Sequence, residues 1–361
     1  MASNISGRLQ KLRNSLAVNA LDGMFVSQED NRYYLSGFLG TAGSLLITAH
    51  EAVLATDFRY IEQAGIQAPE YRVFQITGSN LDWFGKLTAD LKIRRLGFEA
   101  GDIAFLRHRQ LLESVRNANS QLELVSTEGT VEAIRTVKEP EEIDFISRAA
   151  GITDNAVEHA RKVIHAGLKE KDLAWEIEKF MRESGSQSLP FDVIVASGPN
   201  AALPHARPSE RRIGYNEPVV IDIGARIHGY CSDLTRTICV EGPNGGDPKF
   251  NQVYEIVLKA QSAAISGIRN GMTGNDADTL ARKVIEDAGY GKAFGHSLGH
   301  GVGLDEHEQP RIGPNSKDVL TDNMVFTIEP GIYISGWGGI RVEDLVVLEN
   351  GKIKPLSKVA K

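Results

Sequence analysis

Two stretches of this chain set acid groups into apolar runs, and that arrangement restricts what it can fold into more than any other feature. In residues 219–240, VVIDIGARIHGYCSDLTRTICV, apolar runs flank a polar break at Arg226-Ile227-His228-Gly229, the pattern of a tight antiparallel hairpin. A turn centred between Ile227 and His228 puts Asp222 directly opposite Asp233, with Cβ atoms about 5 Å apart. Residues 325–348, VFTIEPGIYISGWGGIRVEDLVVL, read the same way around Gly336 and set Glu329 opposite Glu343, with Pro330 as the point where a bulge would enter. A lone acid in a strand belongs on the solvated face. Asp222 and Glu329, however, follow Val219-Val220-Ile221 and Val325-Phe326-Thr327-Ile328, runs that read as buried. A buried carboxylate without a partner is costly, so four of them call for cations.

An imidazole to complete such a site lies between the hairpins. Three of the nine histidines, His296, His300 and His307, fall within GHSLGHGVGLDEHEQPR, residues 295–311. An isolated histidine is an ordinary surface or core residue. Gly-flanked histidines beside a carboxylate site are different, because glycine lets backbone approach closely and imidazole is the commonest metal ligand. Four carboxylates with one imidazole make a hard, oxygen-rich set that favours Mn²⁺ and admits Co²⁺, Fe²⁺ or Zn²⁺. Two divalent ions balance four carboxylates, and shared carboxylates suit ions about 3.5–4 Å apart.

Around this chemistry the 361 residues change texture once, and a chain of that length is expected to form about two domains. Leu9, Leu12 and Leu16 mark an amphipathic helix over 8–20. Strand patterns follow at 23–26, 44–60 (broken at His50-Glu51), 71–77 and 122–125, with a helix over 101–118. That alternation predicts a compact α/β domain. Helical periodicity then runs over 131–165 and 170–185, and Pro140 opens a new helix with Glu141 and Glu142 in its first turn, as the helix dipole favours. Gly-rich, strand-like text begins at 186, with further helices over 248–269 and 275–289. The boundary is expected near 125–138, giving domains 1–130 and 131–361.

Composition narrows the function classes. Hydrophobic residues make up 42% and the net charge is −7, an ordinary globular profile with no general attraction for nucleic acid. Cys231 and Cys239 are the two cysteines, too few for a disulfide scaffold, and they are expected to pack reduced in a cytoplasmic protein. No apolar run approaches the roughly 18 residues of a membrane span, and the first residues lack a signal-type apolar core.

Taken in order, IDIGARIHGYCSDLTRT, GHSLGHGVGLDEHEQP, FTIEPGIY and GIRVEDLVV resemble the motifs of the pita-bread metallopeptidases, the group containing methionine aminopeptidase, prolidase and aminopeptidase P. The likeness covers about 135–361, and KEPEEI (138–143) resembles the opening of that domain. YYLSGFLGTAGSLLIT and ATDFRYIEQA resemble the creatinase/prolidase N-terminal domain, which points to the Xaa-Pro-cleaving branch. The resemblance implies an α+β protein with a small α/β N-terminal domain before a pita-bread catalytic domain. It implies metal ligands Asp222, Asp233, His300, Glu329 and Glu343, with Asp233 and Glu343 bridging. His205 (in LPHARP), His296, His307 and Arg341 match further residues near the family's site. The presence of all five ligand types speaks against metal-free relatives such as creatinase and the non-enzymatic binding proteins.

The activity implied by the resemblance is hydrolysis of the bond before proline by a metal-bridged hydroxide. Glu329 is expected to shuttle the proton, His307 to help stabilise the oxyanion, and His205 and His296 to wall the proline pocket. A homodimer is implied as well. Prolidases carry an Arg fourteen positions before the ligand matching Glu329, where this chain has Asn315. That departure favours an Xaa-Pro aminopeptidase acting on longer peptides with proline second, and leaves the dipeptidase as the alternative, with Arg311 or a partner subunit's Arg59 as its carboxylate anchor. Trp337, between two ligand-bearing strands, is the expected aromatic contact to substrate.

Overall fold

The structure, a computed structural model, describes residues 4–78, 81–118, 121–243 and 245–361. It divides into two compact units, residues 1–135 and 136–361. Among the described residues no helix is long and apolar enough to cross a membrane.

In the first unit the elements are α1 (Ile5–Val18), β1 (Gly23–Val26), α2 (Glu29–Ser36), β2 (Ser44–Thr48), β3 (Ala52–Thr56), α3 (Ile61–Gln67), β4 (Arg72–Gln75), α4 (Asp82–Asp90), β5 (Arg95–Glu99), α5 (Phe105–Asn117), β6 (Glu123–Thr127) and α6 (Glu132–Thr136). Its six strands form one mixed sheet in the order β4-β3-β2-β1-β5-β6. The 44–60 strand stops early at Thr56 because Asp57 caps a short turn, its carboxylate accepting the Arg59 N–H at 3.0 Å. Helix α2 escapes the apolar pattern since its sequence, EDNRYYLS, is mostly polar; Gln28 caps its start and Gly37, at φ +75°, ends it, a left-handed position that glycine takes without strain. Trp83 is a core residue here, packed beside Phe74 and Phe84.

The second unit repeats one plan twice. Helices α7 (Pro140–Val163) and α8 (Glu170–Glu183) cover a sheet of β7 (Ile194–Ser197), β8 (Pro218–Ile223) and, after the short β9 (Arg226–Ile227) and β10 (Tyr230–Cys231), β11 (Leu234–Cys239), with one shared apolar core. Helices α9 (Pro248–Gly267) and α10 (Gly274–Asp287) cover the second core, over β12 (Gly299–Gly301), β13 (Glu308–Ile312), β14 (Val325–Ile328), β15 (Gly331–Ile334), β16 (Gly338–Arg341), β17 (Asp344–Glu349) and β18 (Lys352–Pro355). Pro140 is the first-turn proline of α7, and Glu139 and Glu142 close a capping box around it, satisfying amides that would otherwise be orphaned.

The last residues lock this unit from behind. Arg236 is fully buried, and its guanidinium donates to the carbonyls of Thr235, Glu343, Val359 and Ala360 and to Asp344 Oδ1. Asp154 on α7 accepts the N–H groups of Lys358 and Val359. The chain near residue 360 is thus bonded to the strands that carry the acid groups.

Candidate metal centre

The first hairpin turns one residue later than the sequence pattern suggests. Ile227 pairs with Tyr230, so the turn is His228-Gly229, both with positive φ (48° and 81°), as the tightest hairpin turn requires. Asp222 therefore faces Thr235, and Asp233 is its diagonal neighbour on the same face. The expected direct Asp222–Asp233 pair is corrected by that one-residue shift. The second hairpin keeps the expected register: Gly331 pairs with Arg341 on one side of Pro330 and Ile328 with Asp344 on the other. No bulge enters at Pro330. Glu329 and Glu343 sit opposite each other where the ribbon passes from the β14–β17 pair to the β15–β16 pair.

These acids meet in a cleft of about 550 Å³ lined by Asp222, Asp233, His300, Glu329 and Glu343, together with His205, His296, His307 and Arg341. Every ligand and catalytic candidate singled out in the sequence therefore lies on one cavity. Ligand-type atoms of Asp233, His300 and Glu343 fall within 4.8 Å of one another. His300 Nε2 is 3.6 Å from Asp233 and 3.4 Å from Glu329. Its Nδ1 lies 3.2 Å from the Gly301 carbonyl, so a proton held there leaves the Nε2 lone pair facing the carboxylates. Thr327 Oγ1 donates to Glu329 at 3.1 Å, and Thr235 Oγ1 to Glu343 at 2.7 Å.

Burial and mutual repulsion govern the electrostatics of this cluster. Desolvation, with repulsion from its neighbours, raises Asp233 and Glu343 well above the usual carboxylate range, and burial pushes Glu329 up to about 8. Burial also lowers His300 and His296 to about 4, which keeps both imidazoles neutral and able to ligate or accept. Arg341 contacts Asp222 at 2.6 Å, one positive charge against four carboxylates. Asp222 Oδ1 is buried with no hydrogen-bond partner, an atom that the protein leaves open to a cation. A hard, oxygen-rich donor set with one neutral imidazole and an orphaned carboxylate oxygen fits divalent metal.

Sequence reasoning missed Tyr333. Its hydroxyl accepts from Arg341 at 2.8 Å and lies 2.9 Å from His296 Nε2, while His296 Nδ1 lies 2.8 Å from the Ser297 carbonyl. Arg341, Tyr333 and His296 thus form one chain from Asp222 to the cleft wall. A tyrosine in an apolar strand reads as packing, and only the fold shows what its hydroxyl meets. Trp337 is corrected: it lies outside the cleft lining, its Nε1 donating to Asp247 at 3.3 Å and Lys249 sitting over its ring. Asn315 is likewise outside the lining, its N–H bonded to Asn275. Arg311 does line the cleft, as the strand partner of His300.

Close backbone approach places His300. A Cβ at Gly299 would fall inside the van der Waals envelope of the Thr327 carbonyl oxygen. Gly299→Ala is expected to push β12 from β14, costing about 1–3 kcal/mol by overpacking and weakening Mn²⁺ binding in a calorimetric titration. Unchanged metal affinity would show that the strand spacing does not set the His300 position.

Comparison with known proteins identifies the family. The model of metallopeptidase family M24 matches residues 144–350, and that of the creatinase/prolidase N-terminal domain matches residues 8–137. An Xaa-Pro dipeptidase of Pyrococcus furiosus is 37% identical over 352 residues, 97% of each chain. The solved structure of an Xaa-Pro dipeptidase from Bacillus anthracis superposes with a TM-score of 0.95 at 40% identity, covering 99% of this chain and 98% of that one. An X-Pro aminopeptidase from Thermotoga maritima superposes at 0.88 with 34% identity, covering 96% and 98%. The chain belongs to metallopeptidase family M24, in its Xaa-Pro peptidase branch, and is a hydrolase of the metallo-exopeptidase type with a pita-bread catalytic domain.

Proposed function

We propose that this protein is an Xaa-Pro dipeptidase, cleaving the bond between the first residue and a C-terminal proline. The observation that carries this reading is Arg311 on the cleft wall, opposite His300 in the β12–β13 pair. A dipeptide presents a free carboxylate next to its scissile bond, and a guanidinium is the group suited to hold it by paired hydrogen bonds. The Asn315 departure, which favours an aminopeptidase in the sequence, falls on a residue outside the cleft lining. Similarity to named dipeptidases at 37% and 40% identity supports the same reading. Aminopeptidase P activity on longer peptides is the second reading, favoured by the likeness to the Thermotoga maritima enzyme.

In this assignment Asp222, Asp233, His300, Glu329 and Glu343, all within residues 131–361, hold two divalent cations, with Mn²⁺ as the resident metal. Bound there, the cations supply an activated water nucleophile and neutralise the buried acids. Glu329 takes the water's proton and delivers it to the departing proline nitrogen. His307, its ring 4.2 Å from that of His300, donates to the developing oxyanion. Arg341 fixes Asp222 through its guanidinium. His205 and His296 flank the imide ring, which has no N–H to offer and needs shape instead.

The test is hydrolysis of Xaa-Pro against Xaa-Pro-Yaa by Mn²⁺-reconstituted protein, with a chelator control and mass spectrometry of the products. Faster cleavage of the dipeptide is expected. Arg311→Ala should lower kcat/KM on the dipeptide on the order of 10–100-fold, the worth of a hydrogen bond to a charged group, and lower it less on the tripeptide. Preference for the tripeptide in the wild type would establish the second reading.

A further inference from the structure

We infer that Glu170, which touches none of the residues assigned above as ligands, is a positioning residue for the cleft wall that carries His205. Glu170 opens α8 and is fully buried. One of its oxygens accepts from the Ser197 N–H and hydroxyl, both at 2.7 Å; the other accepts from the Ser209 N–H at 3.1 Å and its hydroxyl at 2.6 Å. Asn200 Nδ2 lies 3.1 Å from each oxygen. The carboxylate therefore grips the two ends of one loop, Ser197 where it leaves β7 and Ser209 where it returns.

Between those anchors lie Pro204, His205, Ala206, Arg207 and Pro208, a run of five consecutive residues lining the cleft. Little apolar packing holds this loop. Ala201 and Ala206 are its buried side chains, in a small cluster with Ala196 and Val220, while Leu203 is 59% exposed and His205 and Arg207 are also exposed. Two alanines bury little surface for a loop of this length; its first residues also abut β16, where a Cβ on Gly339 would meet the Ala201 carbonyl, and from there to Ser209 the polar clamp sets its position. The loop is also tied to the site itself, since the Pro204 carbonyl accepts from Arg341, whose other nitrogen holds Asp222. Arg211 reinforces the clamp from outside, bonding Ser197 Oγ and pairing with Glu217.

A buried carboxylate with a main-chain N–H on each oxygen cannot be replaced by its amide without conflict. In Glu170→Gln either orientation turns an –NH₂ toward one of the two N–H groups, and that end of the loop loses its acceptor. The inference rests on the assignment of His205 to the substrate pocket, so it is read in two ways. Amide hydrogen exchange of metal-loaded Glu170→Gln should show faster exchange over 198–209 than wild type, and this readout needs no activity. In kinetics, KM for Xaa-Pro should rise about tenfold with kcat within about threefold, while the Mn²⁺ titration stays as in wild type. Combined with His205→Ala, the Glu170→Gln effect on KM should vanish. Ser209→Ala, which deletes one hydroxyl donor and keeps the carboxylate, should shift both readouts the same way by about threefold, and replaces Glu170→Gln if that protein does not fold. Unchanged exchange over 198–209, or a KM effect that adds fully to that of His205→Ala, would overturn the inference. A wild type with no Xaa-Pro hydrolysis would instead overturn the proposed function and leave the exchange result standing.

Discussion

Glu343→Ala is expected to abolish Mn²⁺ binding at one position of the site and to lower kcat at least about a thousandfold, on the order of 4 kcal/mol of barrier. The reason is geometric. Glu343 lies within 4.8 Å of Asp233 and His300, counting ligand-type atoms, and its carboxylate is aimed by Thr235 at 2.7 Å. In the proposed assignment Glu343 is one of the residues that would hold the cations, and the variant has no donor to replace it. The metal-free protein should respond in the opposite sense. Glu343 repels Asp233, Glu329 and Asp222 in a desolvated space, so the isosteric Glu343→Gln removes a like charge while keeping an acceptor for Thr235. Its apo form should melt higher than wild-type apo protein. Metal-induced stabilisation, large in wild type by mass action, should shrink. Activity and apo stability moving in opposite directions would be hard to obtain from a merely misfolded variant. A metal-replete, active Glu343→Ala protein would sink the ligand assignment.

Arg341 carries the second large effect. It is buried, and burial opposes its charge, but Tyr333, Asp222, Glu329 and Glu343 around it outweigh that and hold it protonated. Its guanidinium also donates to Thr235 Oγ1 at 3.0 Å and to the Pro204 carbonyl at 3.2 Å. Arg341→Met keeps most of the volume and leaves Asp222, largely shielded from solvent, without its counter-charge. Breaking a buried pair from one side costs roughly 3–5 kcal/mol, a drop in Tm of about 6–20 °C for a unit of this size. Saturating Mn²⁺ should return part of that loss, because the cations neutralise the acid that Arg341 abandoned. Scanning calorimetry with and without metal checks this, and a Tm within about 2 °C of wild type would show that Asp222 does not depend on the pair.

The acid-in-apolar-run pattern made the site legible because a carboxylate among valines and isoleucines has few explanations. It located Asp222 and Glu329, and pairing arithmetic brought in Asp233 and Glu343. The arithmetic failed by one residue in the first hairpin, where His228 takes a left-handed conformation that nothing in its side chain announces. Arg311 was visible only as an alternative, since which cation faces the cleft depends on strand register and not on spacing from a motif. Glu170 and Tyr333 were hidden for a different reason. One looks like an ordinary acid at a helix start, the other like strand packing, and their roles arise from contacts with residues far along the chain, Ser209 for Glu170 and His296 for Tyr333. Polar helices such as α2 leave no apolar stripe to read, and their caps become visible only once the elements are placed.

The Arg236 anchor has a consequence for how the protein is made. The first unit has every residue it needs once position 135 has been synthesised. The second holds a fully buried guanidinium whose acceptors include the carbonyls of residues 359 and 360. At roughly 5–20 residues per second, the ribosome takes on the order of 10–45 s to travel from one point to the other. Through that interval the first unit is free to fold, while the acid-bearing strands wait on the nascent chain with the backing of their cleft incomplete. A fixed back to the cleft, and with it a fixed position for the acid groups, therefore waits for residues 359 and 360.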